Sequence, residues 1–441
     1  MYFRKDVSTV VNMLTLPTRP VLRPFGLFQS PGAQVLGGIL VAVLLPWLVA
    51  GLIKPGAMLS DNETMTAMGC AAALMIGIYI FRRFDLFPGV RRFAYVIPSF
   101  MTSYAIVFAV FFFLRLDYTR LMFVLSFMGS ISLFVMVCRY SRASTSQRFY
   151  IVPFGNIQWL RERGDLDKLF LQEPYFPGEP NAILVADLRA DHGEMWERFI
   201  AKVAIAGFPV YHTKQLRESL EGRVEIEHLS ENSFGSLLPN LNYRNIKRGC
   251  DLLAAACLLP LVAISFVIVG PLIKMSSPGP ILFRQNRVGF RGRQFSVLKY
   301  RTMTWQPEPN SDDDRIEAAK TKTNDVRVTK LGKVLRRTRI DEIPQILNVL
   351  MGQMSFIGPR PEAVPLAEYY EERLSHYNYR HIVRPGISGW AQINQGHVAE
   401  LNEVQEKLHY DFYYIKHFSA WLDMVIALRT LATMATGFGS K

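Results

Sequence analysis

The chain has 441 residues, half of them hydrophobic and 12% aromatic but only 20% charged, below the roughly 25% of soluble domains, so a single soluble domain is excluded. Its 50 Lys and Arg against 37 Asp and Glu leave a net charge of +13, which requires an anionic partner: lipid headgroups, phosphorylated substrates or nucleic acid. The four cysteines, Cys70, Cys138, Cys250 and Cys257, lie in or beside apolar runs without CxxC spacing, which excludes a cysteine zinc site and reads them as small residues of apolar surroundings.

The first thirty residues carry Pro17, Pro20, Pro24 and scattered arginines but no short apolar core with a cleavage site, so the first span is expected to act as its own insertion signal. Four apolar segments follow, at 32–53, 64–81, 94–114 and 119–138, each near the roughly 20 residues that cross a bilayer. Arg4, Lys5, Arg19 and Arg23 precede the first, Arg82, Arg83, Arg91 and Arg92 separate the second from the third, and Arg139, Arg142 and Arg148 follow the fourth. The opposite loops are poorer in basic residues, with Lys54, Asp61 and Glu63 in one and Arg115, Asp117 and Arg120 in the other. By the positive-inside rule both ends of this four-helix unit, residues 1–146, face the cytoplasm.

In residues 147–240 the period changes. Strand-like stretches at 149–154, 182–187 and 208–213 alternate with helix-like ones near 156–171 and 194–206, the pattern of a parallel, Rossmann-like cytosolic module. Its first turn, Phe154-Gly155-Asn156, has one glycine where a dinucleotide site needs three, so a structural or regulatory module is expected in preference to a nucleotide site.

A fifth apolar run, 251–273, measures about 34 Å as a straight helix. Lys247 and Arg248 before it, and Lys274, Arg284, Arg287, Arg291 and Arg293 after it, make a crossing unfavourable, because a strongly positive segment would have to be translocated. A re-entrant helix bent at Pro260, entering and leaving on one face, avoids that cost; a kinked fifth span is the alternative. Asp312-Asp313-Asp314 lies in a polar stretch and reads as a solvated loop, not a metal site. From 325 onward the chain is expected to be compact and largely helical, with an amphipathic stretch at 402–434 suited to a membrane surface.

The densest chemical constellation is Arg336-Arg337-Thr338-Arg339-Ile340-Asp341-Glu342-Ile343-Pro344-Gln345. Pro344 suits a first helical turn, which would place Asp341 and Glu342 at a helix N-terminus, where phosphate is favoured. One carboxylate can then attack phosphorus while the other holds magnesium. A helix cap with arginines on a solvated face explains the stretch equally well. Gly358-Pro359-Arg360-Pro361 restrains an arginine between prolines, as a phosphate clamp requires. The run from Arg384 to Asn394, with Trp390 and Gln392, can hold a nucleobase or sugar, and a tight loop packed by its Trp accounts for it nearly as well.

Residues 245–441 resemble the catalytic domain of the monotopic phosphoglycosyl transferases, the bacterial sugar transferase family. The stretches that carry the resemblance are Lys247-Arg248 with Asp251, Ser277-Pro278-Gly279-Pro280, Gln285-Asn286-Arg287-Val288-Gly289, Lys299-Tyr300-Arg301-Thr302-Met303, Asp341-Glu342, Gly358-Pro359-Arg360-Pro361 and Arg384 to Asn394. The spans and α/β module ahead of it resemble the polytopic branch, which initiates O-antigen, capsule and exopolysaccharide repeat units.

The resemblance implies that Asp341 attacks the sugar-side phosphate of a UDP-sugar, expels UMP and passes the phosphosugar to undecaprenyl phosphate. It further implies Glu342 as a Mg2+ ligand and Lys299, Arg336, Arg360 and Asp411 in a polar active site. A catalytic domain at 241–441 with a re-entrant helix at 251–273, residence in the bacterial inner membrane with catalysis on the cytoplasmic face, and a homodimer are implied as well. One departure is the helix break: the family places a Ser-Pro pair where Ile264-Ser265 stand here, and the proline is Pro260. A hexose-1-phosphate from UDP-glucose or UDP-galactose is the expected cargo. The competing reading is a non-catalytic membrane scaffold that binds anionic lipid or partner enzymes. Nucleic acid is not an expected partner, because the arginines cluster around carboxylates and prolines without a stacking stripe.

Overall fold

The computed structural model describes residues 30–53, 61–83, 93–144, 147–179, 182–226, 239, 241–304, 327–395 and 400–436. The expectations placed on Arg4 to Arg23, Lys54, Arg91, Arg92 and Asp312 to Asp314 lie outside them. Two compact units divide the chain, Met1–Glu221 and Gly222–Lys441.

In the first unit the apolar segments form α1 (Pro31–Ile53), α2 (Asp61–Arg83), α3 (Phe93–Phe113) and α4 (Arg120–Ser144). Helix α1 starts where Ser30 Oγ accepts from Ala33 N at 3.1 Å with Pro31 in the first turn, and winds as a π-helix over Ile39–Leu44. The interior is packed by Leu74, Phe100 and Phe134, the two rings 4.7 Å apart. Polar groups in the packed interior satisfy one another, as a lipid solvent demands: the Tyr104 hydroxyl bonds Ser126 Oγ at 2.6 Å and Ser130 Oγ at 2.9 Å. Outward positions such as Leu52 and Phe113 stay about four-fifths exposed, as lipid-facing side chains do.

The same unit contains a small parallel sheet of α/β type, with strands β1 (Arg148–Ile151), β2 (Lys168–Phe170), β3 (Ala182–Ala186) and β4 (Val210–His212) in the order β2-β1-β3-β4. Helices α5 (Gln158–Glu162), α6 (Gly193–Ile205) and α7 (Thr213–Glu221) connect or follow them. β3 is buried at every position, as a central parallel strand must be. β2 falls where a continuous helix-like stretch was expected: the helix ends at Glu162, and Lys168 to Phe170 pair with β1 as an edge strand.

The second unit opens with α8 (Leu241–Ser276), a helix of 36 residues, about 54 Å long. It begins ten residues before the apolar run and stays helical through Pro260 and Pro271. Its polar first turns are tied to the unit: Lys247 Nζ donates to Asp423 at 2.6 Å, and Arg248 donates to the carbonyls of Val349 and Leu350. Asp251, Ala255, Val262, Ser265, Val269 and Ile273 form one buried stripe, while Leu253, Val267 and Met275 on the other face are at least 70% exposed.

Strands β5 (Leu282–Val288) and β6 (Gln294–Tyr300) make an antiparallel hairpin. After them come α9 (Lys330–Arg337), α10 (Gln345–Leu350), β7 (Ser355–Ile357), α11 (Val364–Arg373), β8 (Gly386–Ser388), α12 (Trp390–Asn394), α13 (Leu401–Lys416) and α14 (Ala420–Thr436). The expected C-terminal amphipathic stretch is thus two helices.

Candidate active site

Three segments of the second unit converge on Glu342. The first is β6, which brings Lys299. Its register against α10 is fixed by Asn348, fully buried, whose Oδ1 accepts from Leu298 N at 3.0 Å and whose Nδ2 donates to Ser296 O at 2.8 Å. Beside Lys299, the Tyr300 hydroxyl bonds Ser265 Oγ at 2.8 Å and anchors the strand to α8.

The second segment runs from α9 to α10. Thr329 Oγ1 caps α9 by accepting from Gly332 N at 2.9 Å. Gly332 lies so close to Thr302 that a Cβ would stand 2.0 Å from its carbonyl oxygen, and this close approach lets Arg336 Nε reach Thr302 Oγ1 at 3.0 Å. Arg339 then turns the chain at φ 54°, a left-handed conformation that costs a non-glycine residue about 1–2 kcal/mol. A single 3-10 turn, Ile340–Glu342, carries the two carboxylates, and Pro344 caps α10. The pair therefore sits ahead of a helix of only six residues and not on its first turn, so the site's positive field comes from side chains more than from a helix dipole.

The third segment is the turn Pro359-Arg360-Pro361. Arg360 donates to Glu342 Oε1 at 2.9 Å and Lys299 Nζ donates to the same oxygen at 3.0 Å, while Arg339 lies 3.8 Å from Oε2. Glu342 is 9% exposed; burial pushes its carboxyl up, but Lys299 and Arg360 outweigh that and hold it well below the usual carboxylate range. Burial brings Lys299 down to about 8, partly offset by Glu342. The two shifts pull against each other, and with two cations on one carboxylate we take Glu342 as ionised at neutral pH.

Asp341 is the opposite case. Its carboxylate makes no hydrogen bond or ion pair with any described residue, and it is partly open to solvent. Burial and the Glu342 charge push it up to about 6, against the pull of Lys299, Arg360 and Arg336.

A second layer of charge supports the turn. Arg380, 4% exposed, donates to the Arg360 carbonyl and to Asp411 Oδ2, both at 2.8 Å. Asp411 is 1% exposed, so its carboxylate is spent on Arg380. Glu362 binds Lys407 and lies 4.0 Å from Arg380. Arg287, from β5, donates to Gln285 Oε1 and to the Pro361 carbonyl.

Of the residues singled out in the sequence, Lys299, Asp341, Glu342 and Arg360 come together, Arg336 is held beside them by Thr302, and Asp411 acts from behind through Arg380. Arg384, Gln392 and Asn394 are engaged elsewhere: Arg384 donates to Gly352 O at 3.2 Å, Gln392 to Ile387 O at 3.3 Å, and Asn394 bonds Trp390 O and Arg429. Trp390 stacks on Tyr413 at 5.5 Å and donates to Gly222 O at 2.7 Å, so its loop is packed by its own tryptophan. Pro260 lies on the exposed face of α8. Sequence reasoning gave no site role to Arg287, Asn348, Glu362, Arg380 and Lys407, although Arg287 lies in the Gln285 to Gly289 stretch that carries the resemblance. Asn348, a lone amide among the apolar residues of Ile346 to Leu350, also carried a local signal.

The model of the bacterial sugar transferase family matches residues 242–437. Across 422 residues, 94% of this chain and 97% of the relative, the sequence is 42% identical to the UDP-N-acetylgalactosamine-undecaprenyl-phosphate N-acetylgalactosaminephosphotransferase of Aeromonas hydrophila. It is 40% identical over 190 residues to the UDP-glucose:undecaprenyl-phosphate glucose-1-phosphate transferase of Escherichia coli (strain K12), which spans 43% of this chain and 40% of that one. The enzyme of the same name from Caulobacter vibrioides is 39% identical over 204 residues, 46% of this chain and 74% of the relative.

Proposed function

The chain belongs to the bacterial sugar transferase family, the polyprenyl-phosphate sugar-1-phosphate transferases, and from that premise we propose that it moves a sugar-1-phosphate from a UDP-sugar to undecaprenyl phosphate through a phosphosugar ester of Asp341. The observation that carries the covalent step is the division of labour between adjacent carboxylates. Glu342 absorbs two cations, which leaves Asp341 unpartnered and open for attack on phosphorus. Lys299 and Arg360 stay fixed beside it, preorganised for the charge that develops on the phosphate. Arg336 is held within the field of Asp341 and is assigned the phosphate being transferred.

No group of three or more potential ligand side chains exists among the described residues, so the chain's own donors do not form a complete magnesium cage. Glu342 Oε2, the oxygen not taken by Lys299 and Arg360, fits a magnesium ion that arrives on a diphosphate, since this ion is commonly held by one or two carboxylates plus substrate phosphates. Bound there, magnesium would supply further neutralisation of the diphosphate.

The membrane arrangement follows the same logic. We assign four spans to α1–α4, a Rossmann-like module to the parallel sheet, and a re-entrant course to α8. Support for the last is that both ends of the apolar stretch are tied to the catalytic unit, Arg248 and Asp251 at one end and Ile273 at the other. We assign that unit to the cytoplasmic face of the bacterial inner membrane, where a lipid phosphate and a nucleotide sugar can meet; the basic flanks support the assignment.

The donor tried first is UDP-N-acetylgalactosamine, because the relative matched along its whole length uses it, whereas the glucose enzyme of E. coli matches only in part. UDP-glucose and UDP-galactose follow. Full-length protein with undecaprenyl phosphate should release UMP from one of these donors; release from none, with or without magnesium, leaves the scaffold reading in its place.

A further inference from the structure

We propose that Arg287 is the seat of both phosphate monoesters in the reaction: the nucleoside monophosphate that leaves in the first displacement and the lipid phosphate that attacks in the second. The proposal rests on the covalent reading above and adds a residue and a shared subsite to it.

Around Glu342 the charges sort themselves. Lys299 and Arg360 share that carboxylate, Arg380 has Asp411, and Lys407 has Glu362. Arg336 and Arg287 have no carboxylate within 4 Å among the described residues. Arg248 and Arg301 lack one too, and each donates to two backbone carbonyls, Val349 and Leu350 at the end of α10 for Arg248, Ser277 and Pro278 just past α8 for Arg301. Arg287 instead lies against the turn that carries Arg360. Its guanidinium is clamped to Gln285 Oε1, 3.2 Å from Nε and 2.9 Å from NH2, and to the Pro361 carbonyl through NH1. Its strand is stitched to the same turn, with Val288 N donating to Glu362 O at 3.1 Å and Arg287 bridging Ala363.

The result is a rigid cation one residue along from Arg360, with donors left over and no carboxylate within 4 Å among the described residues. Burial and the Arg360 charge press it down to about 10, offset only in part by Glu362 and Glu342, so an incoming dianion would stabilise its charged form. Arg336, in the field of Asp341, and Arg287, against the turn that carries Arg360, are thus guanidiniums without a carboxylate within 4 Å, one for each phosphate of a diphosphate. Such planar forks suit phosphate oxygens.

In-line displacement then makes the seat serve twice. In the first step an Asp341 oxygen bonds the sugar-side phosphorus, and the bond from that phosphorus to the bridging oxygen breaks, its electron pair leaving on the nucleoside monophosphate. In the second, an oxygen of the lipid phosphate attacks the same phosphorus, and the Asp341 ester bond breaks to restore the carboxylate. Asp341 occupies one apical position in both steps, so leaving and entering monoesters share the other.

The test uses full-length protein in detergent micelles with UMP, uridine and undecaprenyl phosphate as probes. Arg287→Ala should weaken UMP binding about 10- to 100-fold and raise KM for undecaprenyl phosphate by a similar factor, with uridine inhibition unchanged. Arg287→Gln, which keeps donors for Gln285 and Pro361, should behave alike and replaces the alanine variant if that one melts early. Equal loss of UMP and uridine, loss for only one of the two monoesters, or wild-type values throughout would overturn the proposal. Wild-type protein that releases no UMP from any UDP-sugar would instead overturn the reading beneath it.

Discussion

The α/β module and the catalytic unit each set an aspartate beside a turn, and they use it in opposite ways. In the module Asp187, at the end of β3, is consumed: Oδ2 accepts from Asn156 N at 2.7 Å, Oδ1 accepts from Arg189 N at 3.2 Å, and its carbonyl bonds His192 at 2.7 Å. Gly155 holds φ +77° there, and a Cβ would stand 2.4 Å from Asp187 Oδ2. The backbone amide available to cradle a phosphate is filled by the protein's own carboxylate, at the switch point of the sheet where ligands commonly bind. In the catalytic unit Glu342 takes the cations, and Asp341 is left without a partner. The two aspartates differ in whether the protein's own donors already satisfy them.

The sharpest way to break this comparison is to neutralise each acid. Asp341→Asn should cut turnover by at least about 10^4-fold without lowering the melting temperature, because the carboxylate bonds nothing in the fold and burial opposes its charge. Glu342→Gln should do both kinds of damage. Leaving Lys299 and Arg360 without their counter-charge should cost about 3–5 kcal/mol of stability, read by denaturant or thermal unfolding, and excess magnesium should restore activity poorly. Asp187→Asn should cost about 1–3 kcal/mol with turnover intact, the reverse of Asp341. A large activity loss in that variant would give the module a role this account denies it.

A smaller effect concerns pH. Burial pushes the Glu362 carboxyl up, but Lys407, Arg380 and Arg287 outweigh it and hold the group well below the carboxylate range. Its folded pKa is below its unfolded value of about 4.3, so its stabilisation is fully present above that pH and lost as pH falls toward the folded value. Melting curves of wild type and Glu362→Gln should therefore differ most near neutrality and converge as the pH drops below about 4.

How much of this was legible in the sequence depends on how far apart the partners lie. The apolar helices and the parallel strands were readable because their signals are local periods of hydrophobicity. The start of α8 was not, because Lys247 looks like a loop cation until Asp423, 176 residues away, is seen to bind it. The Asp341-Glu342 turn stood out by its own composition, yet its placement on a helix N-terminus gave way to a 3-10 turn, since Pro344 begins only a six-residue helix. Trp390 was readable either as a ligand platform or as packing, and its bond to Gly222, 168 residues away, shows it packing the loop. Asp411 came from the resemblance as part of a polar active site, and its position in α13 buries it against Arg380. Arg380, Glu362 and Lys407 escaped notice because each is an ordinary charge until the fold pairs it.

The most direct measurement is mass mapping of the full-length protein after incubation with a UDP-sugar and no lipid acceptor. The account predicts one sugar-phosphate adduct, on Asp341, that disappears when undecaprenyl phosphate is added. An adduct on any other side chain, or lipid-linked product formed with no adduct at any time, would contradict it.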